Sequence, residues 1–261
     1  FFLLIAYSVY LICTKLNKNI ALAWIASLLI IDFAVVPYSM QYSCCFYIAI
    51  IGMILVMRFN QLTSSFINAA CTFFVLGAVT SYFDLLTTPQ LTLGFPLAIL
   101  LLMHPEKTNK YRFIFYLCFM WALGYVGLWA SKWLIALLIA DINYFEEALN
   151  QVQYRINGEH TGAYLGPIQF LRKSWMLIIA VILSMIYLYY NRRKQNKEIA
   201  ENLYLLLIGA IPLAWFIVIR NHSLIHSPFT WRAFTLTIFC VLVYVYKTIN
   251  WSNQSKYESV K

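Results

Sequence analysis

The chain has 261 residues, 62% of them apolar and 11% charged, and its 19 Lys and Arg against 10 Asp and Glu give a net charge of +9. Average globular chains are about a quarter charged, so this composition excludes a soluble enzyme. A positive balance also suits nucleic acid, but here the basic residues fall in short runs between long apolar stretches, which excludes that partner and points to a bilayer.

Apolar segments recur at residues 1–13, 20–37, 44–57, 67–83, 89–103, 113–140, 175–190, 203–220 and 231–247. They predict an all-α fold, a polytopic transmembrane helical bundle of about nine spans that forms a single transmembrane domain over 1–261. The first run reaches only Cys13 and the chain opens on Phe1, so the expectation is the C-terminal part of a longer chain. A signal peptide fits less well, because no basic stretch precedes the run and no small-residue cleavage site follows it. The six cysteines lie within apolar segments with no metal-ligand spacing, which supports neither a disulfide framework nor a zinc site.

Strict alternation from the loop carrying Lys15 and Lys18 places Arg58, Lys107, Lys110, Arg112, Arg192, Arg193, Lys194, Lys197, Lys247, Lys256 and Lys261 on the same side, 13 of the 19 basic residues in all. Lys132, Arg155, Arg172, Lys173, Arg220 and Arg232 fall on or near the other. This bias is the one the positive-inside rule expects, and it makes the loops at 38–43, 84–88, 141–174 and 221–230 the outer ones. In the outer loop at 141–174, Phe145, Leu149, Val152 and Ile156 recur at helical spacing among polar residues, which predicts an amphipathic helix on the outer membrane surface. Gly158, Gly162 and Gly166-Pro167 then break regular structure before the next span.

Three stretches carry chemistry. In Tyr82-Phe-Asp-Leu-Leu-Thr-Thr-Pro-Gln-Leu-Thr-Leu-Gly-Phe-Pro96, Thr88 fits a helix N-cap and Pro89 the first helical position. Gly94 and Pro96 are expected to interrupt that helix within two turns, which membrane depth tolerates only beside a cavity or inside protein. Asp84 lies at its mouth and is open to two readings: a local cap of a tight turn, or a general base or ligand for a sugar hydroxyl or a metal.

In Arg220-Asn-His-Ser-Leu-Ile-His-Ser-Pro-Phe-Thr-Trp-Arg232, two arginines flank His222 and His226 with no acidic residue. Those donors suit a phosphate or pyrophosphate; in the bland alternative the arginines snorkel to membrane lipids and the histidines satisfy backbone groups. His222 and His226 are four apart, a spacing that can put two metal ligands on one helical face. No carboxylate lies nearby and Pro228 follows, so a divalent metal is unsupported and no cofactor is implied. In Gly124–Trp133 the single cation Lys132 either snorkels or faces the same cavity, where a lipid phosphate or Asp84 would pair with it. Asp32 is open to the same two kinds of reading at the outer end of its own span. No Walker, Rossmann, zincin or nucleophile-elbow motif occurs.

The span architecture, the FDLLTTPQLTLGFPL stretch, the surface helix and RNHSLIHSPFTWR together resemble bacterial polytopic proteins related to the GT-C glycosyltransferases over residues 67–240. The resemblance implies a multi-pass protein of the bacterial cytoplasmic membrane that works on the cell envelope. It also implies a polyprenyl-phosphate-linked sugar donor and a glycan, lipid or protein acceptor. That class carries its catalytic Asp, often in an Asp-Asp or Asp-Glu pair, in the first outer loop; no such pair occurs in this chain, so no family residue is carried over.

The chemistry of the residues themselves assigns Asp84 as catalytic base and Arg220, His222, His226, Arg232 and Lys132 as substrate-binding groups. The alternative is a transporter or flippase for an anionic lipid or solute, for which paired broken helices would be the sign.

Overall fold

Asn17, between the first two apolar runs, caps the helix that follows: its side chain accepts from the backbone N–H groups of Asn19 and Ile20 at 3.0 Å each. The computed structural model describes residues 1–84, 86–105, 109–140, 144–158 and 196–258. Its helices are α1 (Phe2–Lys15), α2 (Lys18–Ile30), α3 (Met40–Arg58), α4 (Phe66–Phe83), α5 (Gln90–Met103), α6 (Lys110–Ala140) and α7 (Phe145–Asn157). Beyond these come α8 (Asn196–Gly209), α9 (Ile211–Val218), α10 (Arg220–Ile225), α11 (Ser227–Thr230) and α12 (Thr235–Glu258). No strand occurs among the described residues. In hydrocarbon every backbone polar group must be satisfied within its own segment or a closed sheet, and the described residues take the helical solution.

Among the described residues five stretches are long and apolar enough to cross a bilayer: Met40–Arg58, Phe66–Phe83, Lys110–Ile139, Ala200–Val218 and Ser227–Thr248. The apolar helices α1, α2 and α5 have only 14, 13 and 14 residues, about 21 Å at 1.5 Å per residue against a core of about 30 Å. Nine full-length spans is therefore more than the described helices supply. The predicted segment at 20–37 divides, because α2 stops at Ile30, Asp32 takes a left-handed backbone (φ 54°) and a 3-10 turn follows over Phe33–Tyr38. The segment at 203–220 bends at Ala210, with Pro212 opening α9. The segment at 175–190, Arg172, Lys173, Gly162 and Gly166-Pro167 lie outside the described residues.

The core is built around α5, on which every residue from Gln90 to Leu102 is buried. A helix that is apolar on all sides suits a protein interior or a membrane span, and burial on every side puts α5 in the interior. Trp24 of α2 meets Phe95 and Phe239 edge-on, with ring centroids 4.8 and 6.1 Å away, and its indole N–H donates to Ser8 at 3.0 Å. The expected interruption at Gly94 and Pro96 does not occur: α5 is continuous through both. Neighbouring helices make room for it. A Cβ on Gly52 of α3 would come within 2.9 Å of the Pro96 ring, and one on Gly94 would collide with the Leu236 side chain of α12.

Helices α4 and α6 pack with their backbones in near contact. A Cβ at Gly77 would fall on the Trp121 carbonyl, and a Cβ at Gly124 on the Phe74 carbonyl. Small residues at such crossings are how apolar helices associate where burial from water gives no drive.

The bundle has two distinct ends. At one, Asn17 reaches Tyr246 (3.3 Å), Phe66 meets Tyr116 (4.2 Å), and the Lys110 ammonium lies 4.6 Å over the Tyr204 ring. At the other, α3 begins, α4 ends, α5 begins, and α7 and α10 lie against each other. The segments assigned to one membrane face by alternation thus share one end wherever they are described.

Candidate functional site

Asp84 follows the last residue of α4, and its N–H still donates to Thr80 at 2.8 Å. The chain then turns, because Asp84 Oδ1 accepts from the Thr87 N–H at 2.9 Å and the Thr87 hydroxyl at 2.6 Å. An Asx-type turn of this kind is what Asp does at a chain reversal. Leu86 completes the turn with a left-handed backbone (φ 65°). From α3, the Cys45 thiol lies 3.8 Å from the Thr87 hydroxyl.

Asp84 is therefore a local cap, as the plainer reading held, but only one of its oxygens is used. Oδ2 is buried and has no partner. Burial pushes the carboxyl above its ordinary range; the Thr87 hydroxyl and amide, the Cys45 thiol and the Leu86 amide pull it back down without cancelling the rise.

Helix α10 comes to this turn from the far end of the sequence. Asn221, His222 and Ser223 are all buried. The His222 Nε2–H donates to the Leu86 carbonyl at 2.9 Å; a carbonyl can only accept, so Nε2 carries the proton and Nδ1 is left as an acceptor. The ring is neutral. Its pKa is pushed down to about 4, first by burial and then by His226 and Arg155, against the pull of the Leu86 bond in the other direction. His226 is stacked obliquely on it, ring centroids 4.6 Å apart, and is itself exposed.

Asn221 fastens the surface helix. Its Nδ2 donates to the Tyr154 carbonyl at 2.8 Å, and Gly158 is required next to it because a Cβ there would strike the Asn221 amide. Helix α7 forms over the span its spacing predicts, with Glu146 and Glu147 in the first turn and Arg155 in the last, as the helix dipole favours. Phe145, Leu149, Val152 and Ile156 are exposed along it, Leu149 by 65%. On the opposite flank Phe229 of α11 stacks on Tyr42 at 3.4 Å.

The remaining cations sit around this end. Lys132 is exposed, with its ammonium 3.4 Å from the Ser81 carbonyl and 5.9 Å from the Tyr82 ring centroid. It therefore sits at the carbonyl end of α4, the helix that Asp84 terminates. Arg220 is exposed at the start of α10. Arg232 donates from Nη1 to the Pro228 carbonyl at 2.6 Å, lies 5.2 Å over the Trp231 ring, feels the charge of Asp32, and keeps a buried Nε without a partner.

Of the six residues singled out from sequence, Asp84, His222 and His226 come together around the Leu86 turn. Lys132 of α6 reaches the Ser81 carbonyl near the end of α4, and Arg220 and Arg232 flank in sequence the stretch that carries His222 and His226. Among the described residues no three His, Cys, Asp or Glu side chains cluster as a metal would need.

Sequence reasoning missed the second layer. The N-cap expected at Thr88 lies instead at Pro89, and the Thr88 hydroxyl makes no cap bond. Thr88 Oγ1, both amide atoms of Gln90, Asn221 Oδ1 and Ser223 Oγ are buried without a partner, like Asp84 Oδ2. Their only trace in the sequence is polarity in a largely apolar chain. No protein-family model matches the chain, and no curated protein or solved structure shows significant similarity to it.

Proposed function

We propose that this chain is a membrane-embedded transferase that moves a glycosyl group from a polyprenyl-phosphate-linked donor to an acceptor hydroxyl at the Asp84 end of the bundle. One observation carries the reading: the 2.9 Å bond from His222 to the Leu86 carbonyl. It draws the two polar outer stretches together around a buried carboxylate that has one oxygen to spare.

In the reaction the acceptor oxygen attacks the anomeric carbon. The bond from that carbon to the phosphate oxygen breaks, the carrier phosphate leaves with the electron pair, and Asp84 takes the acceptor proton. A carboxyl raised by burial is better matched to this task at neutral pH than an exposed one. Arg220, Arg232, Lys132 and His226, joined by Arg155, would supply donors suited to the carrier phosphate and to the charge that develops on it. His222 has its one proton committed to Leu86, so its part is to position α10 against the turn. The apolar face of α7 fits the same setting, lying in the membrane interface where a lipid-linked donor would approach.

The test is transfer by the purified protein in lipid nanodiscs, read as release of polyprenyl phosphate from a polyprenyl-phosphate sugar. Asp84→Asn is expected to lower kcat by about 10²- to 10⁴-fold with donor binding retained, whereas Arg220→Ala and Arg232→Ala weaken donor binding. A wild-type protein that neither binds polyprenyl phosphate nor turns over would overturn the reading. The rival, a carrier for an anionic lipid or solute, loses the broken helix that favoured it, since α5 is continuous. Movement of an anionic lipid across proteoliposomes at a rate indifferent to Asp84→Asn would restore it.

A further inference from the structure

The polar atoms left without partners are concentrated where α5 begins. Gln90 is 1% exposed and Thr88 2%, yet neither the Gln90 amide oxygen, the Gln90 amide nitrogen nor the Thr88 hydroxyl has a partner, and Asp84 Oδ2 four residues earlier is in the same condition. One turn deeper the situation is different. The Thr92 hydroxyl is bonded to the Pro89 carbonyl (2.8 Å) and the Trp121 indole (3.1 Å), and lies 2.7 Å from the Thr80 hydroxyl. The deficit is thus local to the mouth of the helix. A buried polar group left unsatisfied is costly, and four such atoms fall within seven residues of the chain.

The chemistry of a group that would satisfy them follows from what they offer. Gln90 supplies one acceptor and two donors, Thr88 one donor and further acceptor capacity, and Asp84 Oδ2 an acceptor. A phosphate only accepts, and it would face the carboxylate and the Gln90 carbonyl with like polarity. A bare cation would leave the Gln90 donors unused and would sit at the positive end of the α5 dipole. Hydroxyls both donate and accept, and several adjacent ones match this mixture.

We propose that Gln90 and Thr88 hold the ring hydroxyls of a glycosyl group at the start of α5, beside Asp84, in a subsite separate from the cations that suit the carrier phosphate. The proposal rests on the transferase reading for its substrate and adds the residues that would recognise the sugar itself. It places sugar recognition on the α4–α5 turn and leaves phosphate recognition to α7, α10 and their flanks.

The experiment uses the full chain in lipid nanodiscs. The probes are a panel of water-soluble methyl glycosides, sodium chloride, and a polyprenyl phosphate carrying no sugar, with Trp fluorescence and thermal unfolding as readouts. At least one methyl glycoside is expected to raise the unfolding temperature. Gln90→Met and Thr88→Val each weaken that glycoside about tenfold, the loss of one hydrogen bond, and leave polyprenyl phosphate affinity unchanged, while Thr88→Ser retains glycoside binding.

Protection by sodium in place of glycosides overturns the proposal in favour of a cation site. So does the absence of any glycoside effect together with a higher unfolding temperature for Gln90→Met, which would mark the atoms as internal strain. Either result with polyprenyl phosphate binding intact leaves the transferase reading standing. Glycoside binding without polyprenyl phosphate binding removes that reading and keeps the subsite.

Discussion

Asp84 and His222 both bond to the turn at 86–87, and burial shifts the two groups with opposite sign. An unfolded histidine takes up its proton near pH 6.5, whereas buried His222 refuses it until about pH 4. Between those values the unfolded chain binds a proton that the folded chain does not. The contribution of His222 is therefore complete above about pH 6.5 and is lost as the pH falls toward 4. For Asp84 the folded carboxyl holds its proton above the ordinary value, so its contribution is present below about pH 3.9 and lost as the pH rises through the folded pKa. The two can be separated with His222→Gln, which keeps an amide donor for the Leu86 carbonyl but cannot titrate. Thermal unfolding of the variant and the wild type should agree most closely near pH 7 and diverge toward pH 4, where the wild type alone loses stability; a difference independent of pH would mean that folding does not shift the titration of His222. Asp84→Asn is expected to change stability by less than about 1 kcal/mol, because an amide can still accept from Thr87 while the buried charge is removed. A loss of transfer in that variant then reports chemistry and not folding.

The contact between α4 and α6 depends on two glycines, and it makes a ranked prediction. At Gly77 and Gly124 the obstacle to a Cβ is a backbone carbonyl of the facing helix, whereas at Gly94 it is the end of the flexible Leu236 side chain. Overpacking costs about 1–3 kcal/mol where side chains can give way, and more where they cannot. Gly77→Ala and Gly124→Ala should therefore each lower the unfolding temperature well beyond Gly94→Ala; equal effects would mean that α4 and α6 can separate at no cost. Helix α7 makes a second prediction. Spin labels at Leu149 and Val152 should be relaxed more by oxygen, which partitions into lipid, and labels at Glu146 and Gln151 more by an aqueous nickel chelate, if the exposed apolar face rests in the membrane interface. These two elements also divide what could be read from the chain. Spacing alone located α7, because its period is a local property of thirteen residues. Gly94 and Pro96 are local signals too, yet they misled: the helix continues through them because Gly52 and the α12 side chains accommodate its shape, and those partners are distant in sequence.

At the scale of the whole molecule, alternation of basic runs grouped the outer loops, and the contacts bear out the grouping wherever residues are described. Tyr42, Leu86, Tyr154 and His222 meet at one end, and Asn17, Lys110, Tyr204 and Tyr246 at the other. The number of spans was less legible, because apolarity marks a buried helix such as α5 as strongly as a lipid-facing one. The polar layer around Thr88, Gln90, Asn221 and Ser223 was not legible at all, since being buried without a partner belongs to the fold and not to a residue type. Sidedness follows from the two ends. Helix α3, with 19 residues, runs about 28 Å from the Asp84 end to the exposed turn at Gln61 and Ser64, and α7 lies at the opposite end. In a variant whose six native cysteines are replaced by serine or alanine, a single cysteine at Ser64 and one at Glu146 should react with a membrane-impermeant maleimide from opposite sides of sealed vesicles. From the surplus of Lys and Arg at the Lys110 end, the Ser64 side is expected to be the cytoplasmic one. Labelling of both positions from one side would break the two-ended arrangement, and with it the placement of Asp84, His222 and the α5 mouth on the face where a lipid-linked sugar would be met.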